Sequence, residues 1–277
     1  MSVNEEGRVD FHDIQYQVSN RVATITIDRE HRLNGITVAT YKELVSAFDR
    51  TDDDDEVRAV VVTGAGRAFS SGADLQGGGK TFESKARTGV HRDKGGLLAL
   101  RIFESRKPVI AAVNGAAVGL GATLTLPMDV RLASTTARFG FGFANRGISP
   151  DGCSSWFLPR LVGMGTAAEW MLTGRLFGAD EALASGLVHA AHPPKELLPA
   201  ALELAWSIAT RSAPVSAAVT RQLLWRMQGA AHPVIANYAE SVGLTDLGRS
   251  PDAREGITAF FEKRTPDFRG SVSAGMP

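Results

Sequence analysis

The amino-acid sequence predicts an α/β fold with a helical C-terminal appendage, on three observations. Apolar runs that read as buried strands, at 58–63, 109–113 and 130–133, alternate with helical patterns, which implies mostly parallel pairing. The first two of these runs end in glycine-containing turns that precede helical stretches. After residue 160 the strand signal nearly vanishes, except at 187–191, and helical spacing fills 195–210, 214–228, 233–247 and 251–263.

Each element has its own signal. Ile14, Tyr16 and Val18 alternate, as do Ala23, Ile25 and Ile27, with Ser19-Asn20-Arg21 between them, so the chain opens with a hairpin. Val38, Tyr41, Leu44, Val45 and Phe48 recur at helical spacing. The run from Asp52 to Glu56 predicts a solvated loop, because consecutive carboxylates do not converge on one ion. Residues 76–96 are irregular, with glycines at both ends, and predict a flap. The last three helical patterns set a boundary between a core at 1–212 and a helical region at 213–277.

Composition removes several function classes. Thirty basic residues against thirty acidic ones give no net charge, so no nucleic-acid footprint is expected. The acidic, polar start MSVNEEGRVD does not read as a secretory signal. Residues 108–128 carry no charge and have the length of a membrane span. They are rich in Ala, Gly and Thr and contain Asn114 and Pro127, so strand, turn and buried helix is the expected reading, with no membrane partner. The single cysteine, Cys153, suits a reducing, cytoplasmic setting.

Familiar motifs fail on inspection. Gly119-Leu-Gly121 continues to Leu124 where a dinucleotide fingerprint needs a small residue. Gly66 and Gly72 have phosphate-loop spacing, but Ala73 and Asp74 follow in place of Lys and Ser/Thr. His189 and His192 lack companions at metal spacing, so no metal site is expected. Cys153 has no nearby histidine to act as its base. What remains is the pair of turns, Ala68–Leu75 and Asn114–Gly121. Turns of this kind leave N–H groups unpaired at a helix start. They fit two readings, an oxyanion hole or simple tight packing.

Several blocks then resemble one family. RAFSSGADL at 67–75, KPVIAAVNGAAVGLGATL at 107–124, ARFGF at 137–141 and GISPDGCSSWFLPRLVG at 147–163 are similar to the crotonase (enoyl-CoA hydratase/isomerase) superfamily. LTGRLFGADEALASGLV at 172–188 and REGITAFFEKRTPDF at 254–268 extend the resemblance over roughly 14–270. It implies a spiral of ββα units with a C-terminal helical trimerisation region, a homotrimer or homohexamer. It implies an acyl-CoA thioester as substrate, with no other cofactor. The thioester oxygen would sit between the backbone N–H groups of Ala73 and Leu120.

The resemblance also marks departures. The two glutamates with which typical hydratases hold a water fall on Thr123 and Phe143, and both are absent. Asp151 matches an aspartate used by isomerases of the family, and the blocks around it are most similar to phenylacetyl-CoA-pathway isomerases. One carboxylate suffices to move a proton between two carbons, given apolar neighbours such as Phe141, Phe143 and Trp156 to raise its pKa. Asp151 also sits in Pro-Asp-Gly, so a helix-capping role stays open beside the catalytic one. Asp74 and Glu83 are the reserve carboxylates. CoA contacts are expected at Gln76, where a lysine is usual, and at Phe260 and Lys263 from a neighbouring subunit. The expected activity is enoyl-CoA double-bond isomerisation. Weak hydration, or silent acyl-CoA binding, are the alternatives.

Overall fold

The computed structural model describes residues 2–3, 9–80 and 92–275. Much of the expected flap, 81–91 with Glu83, lies outside the described residues. Strands β1 (Ser2–Val3) and β2 (Val9–Asp10) pair with each other. Strands β3 (Ile14–Ser19) and β4 (Val22–Ile27) form the expected hairpin. Its turn residues, Asn20 and Arg21, both have positive φ, 50° and 65°, the geometry that matches strand twist in two-residue turns.

Helix α1 (Val38–Asp53) is capped by Thr37, whose hydroxyl accepts from the Thr40 N–H. It continues to Asp53, and Asp52 is buried against Arg101 and the Arg106 N–H. The acidic run is therefore partly a helix end with structural partners, which corrects the reading of a wholly solvated loop.

Three ββα units follow. The first is β5 (Ala59–Gly64), β6 (Ala68–Ser70), a 3-10 stretch at Leu75–Lys80, and α2 (Lys94–Phe103). The second is β7 (Val109–Val113), β8 (Ala116–Val118) and the single turn α3 (Leu120–Thr123). The third is β9 (Val130–Ser134), β10 (Arg138–Gly140) and α4 (Ser154–Val162), with α5 (Met164–Thr173) behind it. The first strand of each unit joins a six-stranded sheet, ordered β12-β9-β7-β5-β4-β3, where β12 is Ala190–His192. The second strand joins a four-stranded sheet, β11-β10-β8-β6, where β11 is Leu176–Gly178. This stepping between two sheets is the spiral that the sequence led us to expect. All pairings among the unit strands are parallel, because helices and turns carry the chain back between them.

The strand expected at 187–191 is displaced. Leu187 and Val188 are core residues ahead of the strand, and β12 pairs with the Leu132–Ser134 end of β9. Residues 108–128 form β7, β8, α3 and the turns around them, and no helix among the described residues is long and apolar enough to cross a membrane.

Helix α6 (Ala179–Ala184) leads to α7 (Pro194–Arg211), which lays Leu197, Ala201, Ala205 and Ala209 against Val61, Ile110 and Leu132 of the large sheet. Helix α8 (Pro214–Met227) is tied to the core: Arg221 is buried, donates to the Ile102, Phe103 and Ser105 carbonyls, and pairs with Asp129 at 2.8 Å. Trp225 Nε1 donates to the same carboxylate. The expected boundary after residue 212 thus precedes a helix bound to the core. Helices α9 (Pro233–Gly248) and α10 (Pro251–Glu262) lie beyond it.

Candidate active site

The site begins where β6 ends. The Ser70 hydroxyl donates to the Asn34 carbonyl and accepts from the Gly72 N–H. The chain then bridges to Ile36, whose N–H donates to the Gly72 carbonyl at 2.7 Å and whose carbonyl accepts from the Asp74 N–H at 3.0 Å. In a parallel bridge the flanking residues make the bonds, so Ala73 points its own N–H to the opposite side. Gly72 has φ +97°, and a Cβ there would stand 2.6 Å from the Val118 carbonyl oxygen and 3.3 Å from the Leu120 nitrogen. Only glycine allows the first turn to approach the second so closely.

The second turn is built the same way. Gly119 has φ +53° and donates its N–H to the Gly140 carbonyl. Helix α3 then starts at Leu120, whose N–H is the first of a helix and has no intrahelical partner. A Cβ on Gly121 would collide with the Ser70 carbonyl, so this glycine seats α3 directly on β6. The N–H groups of Ala73 and Leu120, the two expected oxyanion donors, therefore lie on touching turns. Among the described residues neither donates to a protein acceptor.

Asp151 reaches the same place from the third unit. Gly152 and Cys153 are both left-handed, with φ of 62° and 55°. A Cβ on Gly152 would stand 2.5 Å from Thr123 Oγ1, so glycine permits the loop to lie against α3. The Thr123 hydroxyl donates to Asp151 Oδ1 at 2.8 Å. The side chain of Asp151 does not cap α4. Its backbone carbonyl receives the Ser154 N–H and hydroxyl, and the helix starts after Cys153 without a side-chain cap. The capping alternative left open by Pro-Asp-Gly therefore does not describe its carboxylate.

Burial pushes the Asp151 carboxyl up to about 6. The Thr123 hydrogen bond opposes this, and the negative charge of Asp93 adds to it. The aromatic residues expected around Asp151 have ring partners of their own. Phe141 stacks on Trp170 and Phe177, and Trp156 packs edge-on against Phe103 and Phe157.

Asp93 is the residue that sequence reasoning missed. It caps α2, its Oδ1 accepting from the Gly96 N–H at 2.5 Å. A Cβ on Gly95 would stand 2.8 Å from Leu120 Cδ1, 3.1 Å from Asp93 Oδ1 and 3.4 Å from Asp151 Oδ2. The glycine pair that opens α2 thus makes room for a leucine and two carboxylates, although each glycine costs a helix about 1 kcal/mol against alanine. Asp93 fell inside the stretch read as irregular. An acidic N-cap ahead of Leu97, Leu98 and Ile102 was the available signal. The Leu120 side chain is buried and turned toward α2.

The other candidates are placed differently. Asp74 is engaged by Arg29, which bridges its Oδ2 at 3.0 Å and the Gly35 carbonyl. Partial burial opposes ionisation of Asp74, but the Arg29 and Gln76 hydrogen bonds and the charges of Arg29 and Arg32 outweigh it and hold the carboxyl low. As a reserve base Asp74 is occupied. Gln76 is exposed in the 3-10 stretch, beside the oxyanion turn. Phe260 is 77% exposed, so it is no core residue, and Lys263 ends α10 with φ 55°. Both belong to a helix that packs on α9, not on the strands carrying the turns. Burial raises the Cys153 thiol above its usual range, with Asp93 adding to the effect, so it is a poor nucleophile. His189 donates its N–H to Arg131 at the entry to β12, and His192 ends that strand.

Comparison with known proteins gives one family. Residues 17–271 match the family described as enoyl-CoA hydratase/isomerase. An enoyl-CoA hydratase of Alternaria alternata is 40% identical over 256 residues, 91% of this chain and 84% of that protein. A 1,2-epoxyphenylacetyl-CoA isomerase of Escherichia coli is 32% identical, over 91% of this chain and 97% of that protein. The crystal structure of an enoyl-CoA hydratase from Bacillus anthracis superposes with a TM-score of 0.86 at 30% identity, covering 94% of this chain and all (100%) of the other. Two touching turns whose Ala73 and Leu120 N–H groups meet no protein acceptor among the described residues, a half-buried carboxylate beside them and these likenesses agree: the chain belongs to the enoyl-CoA hydratase/isomerase family.

Proposed function

We propose that the protein is an enoyl-CoA isomerase that moves a double bond from the β,γ to the α,β position of an acyl-CoA thioester. The Asp151 carboxylate takes a proton from the α carbon. The released electron pair moves into the thioester carbonyl, whose oxygen is held by the Ala73 and Leu120 N–H groups. Donors of this kind are worth roughly 3 kcal/mol each at a developing oxyanion. Asp151 then returns the proton to the γ carbon as the carbonyl re-forms. The observation that carries this reading is the half-buried Asp151 carboxylate, raised to about 6 and hydrogen-bonded by Thr123, next to the two turns. A base near neutrality both takes and returns a proton efficiently. Because CoA belongs to the substrate, the scheme uses no resident cofactor. Gln76, Phe260 and Lys263 are proposed CoA contacts, the last two from a neighbouring subunit of a trimer or hexamer. The exposed apolar side chains of Tyr238, Val242 and Leu244 support that assembly. A cytoplasmic setting completes the reading.

Hydration is the second reading, favoured by the name of the 40% identical relative. Thr123 and Phe143 stand where hydratases of the family carry water-holding glutamates, which argues against it. Assaying 3-enoyl-CoA isomerisation beside 2-enoyl-CoA hydration decides the matter. Isomerisation exceeding hydration is expected. Hydration at the rate of an ordinary hydratase overturns the proposal, and inactivity on both leaves the silent acyl-CoA binder.

A further inference from the structure

We infer that Asp93 is a positioning residue for the proton shuttle: its carboxylate, fixed at the α2 terminus, faces Asp151 across Gly95 and biases Asp151 toward holding its proton between removal and return. The inference rests on the reading of Asp151 as the acid/base.

The geometry is specific. The Asp93 side chain is anchored by the Gly96 N–H at 2.5 Å, so its carboxylate cannot swing freely away. A Cβ on Gly96 would stand 2.6 Å from Asp93 Oδ2, so glycine is what lets the carboxylate rest there. The missing Cβ of Gly95 leaves Asp93 Oδ1 and Asp151 Oδ2 facing one point, at 3.1 and 3.4 Å from it. A negative charge beside a largely desolvated carboxylate disfavours its ionisation, so Asp151 keeps its proton to higher pH.

Among the described residues, Asp93 is the charged group that acts on Asp151. Thr123 of α3 is a neutral donor that favours the ionised form. Cys153, on the same loop, has a thiol held protonated by burial. Arg92, the residue before Asp93, acts on Cys153, whose thiol its charge pulls down. An isomerase base must give back the proton it takes, and a fully ionised, weakly basic carboxylate does neither step well.

The test titrates Asp151 directly, by carboxyl carbon-13 NMR on the full chain, with Asp151→Asn to assign its signal. Asp93→Asn keeps an oxygen for the Gly96 N–H and removes the charge, and Asp93→Ser is a second neutral cap. In both variants the Asp151 midpoint is expected to fall by about half a pH unit or more, as for like charges a few ångströms apart in a partly wet site. The acid limb of kcat/KM for isomerisation should move down with it, while CoA affinity stays unchanged. An unmoved midpoint, with lost thermal stability alone, reduces Asp93 to a helix cap and overturns the inference. Failure of the parent reading looks different: Asp151→Asn would then retain turnover, whatever the NMR midpoint does.

Discussion

Helices α7 and α9 are of similar length, 18 and 16 residues, and both are rich in apolar side chains, yet they meet opposite fates. Helix α7 buries Leu197, Ala201, Ala205 and Ala209, one residue per turn, on the large sheet. Helix α9 buries only Gly243 and leaves Val234, Tyr238, Val242 and Leu244 exposed. Small side chains let α7 lie close to its own chain, whereas the larger ones of α9 form a stripe that the described residues leave exposed. The contrast extends to chemistry. The two touching turns are assembled within one chain, at the ends of β6 and β8 in the four-stranded sheet, while Phe260 and Lys263 lie at the end of α10, which packs on α9. The first half should therefore answer to substitutions in turnover, and the second in assembly.

The strongest separation is expected from Asp151→Asn. Loss of a general base lowers isomerisation by about a hundredfold to ten-thousandfold, with sedimentation behaviour and CoA affinity kept. Its stability changes in the opposite sense. The folded pKa is about 6 against 3.8 for the free group, so the folded state binds more protons between these values and stability falls as pH rises through that window. Above pH 6 the buried charge costs on the order of 2 to 3 kcal/mol, which the amide removes. The variant should melt higher than the parent at pH 7.5 and together with it near pH 3.5. Equal melting at both pH values would mean that the carboxylate is not desolvated.

Second in size is Gly72→Ala. Its added Cβ meets the Val118 carbonyl at 2.6 Å, and its φ of +97° is costly for alanine. Forcing the turns apart should remove about one oxyanion donor and lower kcat roughly a hundredfold. Binding of free CoA serves as the control. Unchanged kcat would show that the turns merely pack.

Val242→Asp and Leu244→Asp probe the other half. A charge in the α9 stripe should leave a folded monomer by sedimentation at micromolar concentration, with native circular dichroism. If Phe260 and Lys263 act across subunits, KM should be higher in this variant than in the parent while the Asp151 pH limb stays in place. A parent protein that sediments as a monomer breaks the comparison, because α9 would then be exposed without a partner.

What was legible in the sequence follows from which interactions are local. Strand alternation at 14–27, the apolar runs of β5, β7 and β9 and the spacing of α7 to α10 are local patterns, and they located these elements within a few residues. The glycines at 72, 119 and 121 were visible as turn signals, but what each one touches is not. The Ser70 carbonyl beneath Gly121 and the Thr123 hydroxyl beneath Gly152 are encounters between separate units. Asp151 was found through its block, whereas its choice between capping α4 and meeting Thr123 depends on how α3 and α4 are juxtaposed. Asp93 was missed for the same reason: nothing local tells a helix cap at the surface from one that faces a second carboxylate.

The smallest effect, and the finest check on the site half, is expected from Thr123→Val. The substitution nearly keeps volume, so α3 should stay seated against Gly152, and it deletes the hydroxyl that favours ionised Asp151. Loss of that donor moves the carboxyl above its present value of about 6. The acid limb of kcat/KM therefore shifts to higher pH, opposite in sign to the shift expected for Asp93→Asn. At pH 7 a smaller ionised fraction should lower isomerisation a few-fold, and turnover should recover toward the parent value near pH 9, where Asp151 is ionised in both proteins. A loss that persists at high pH would show that Thr123 orients the carboxylate for the carbon it attacks, beyond adjusting its charge. An unmoved limb would mean that the 2.8 Å hydrogen bond is not kept in solution.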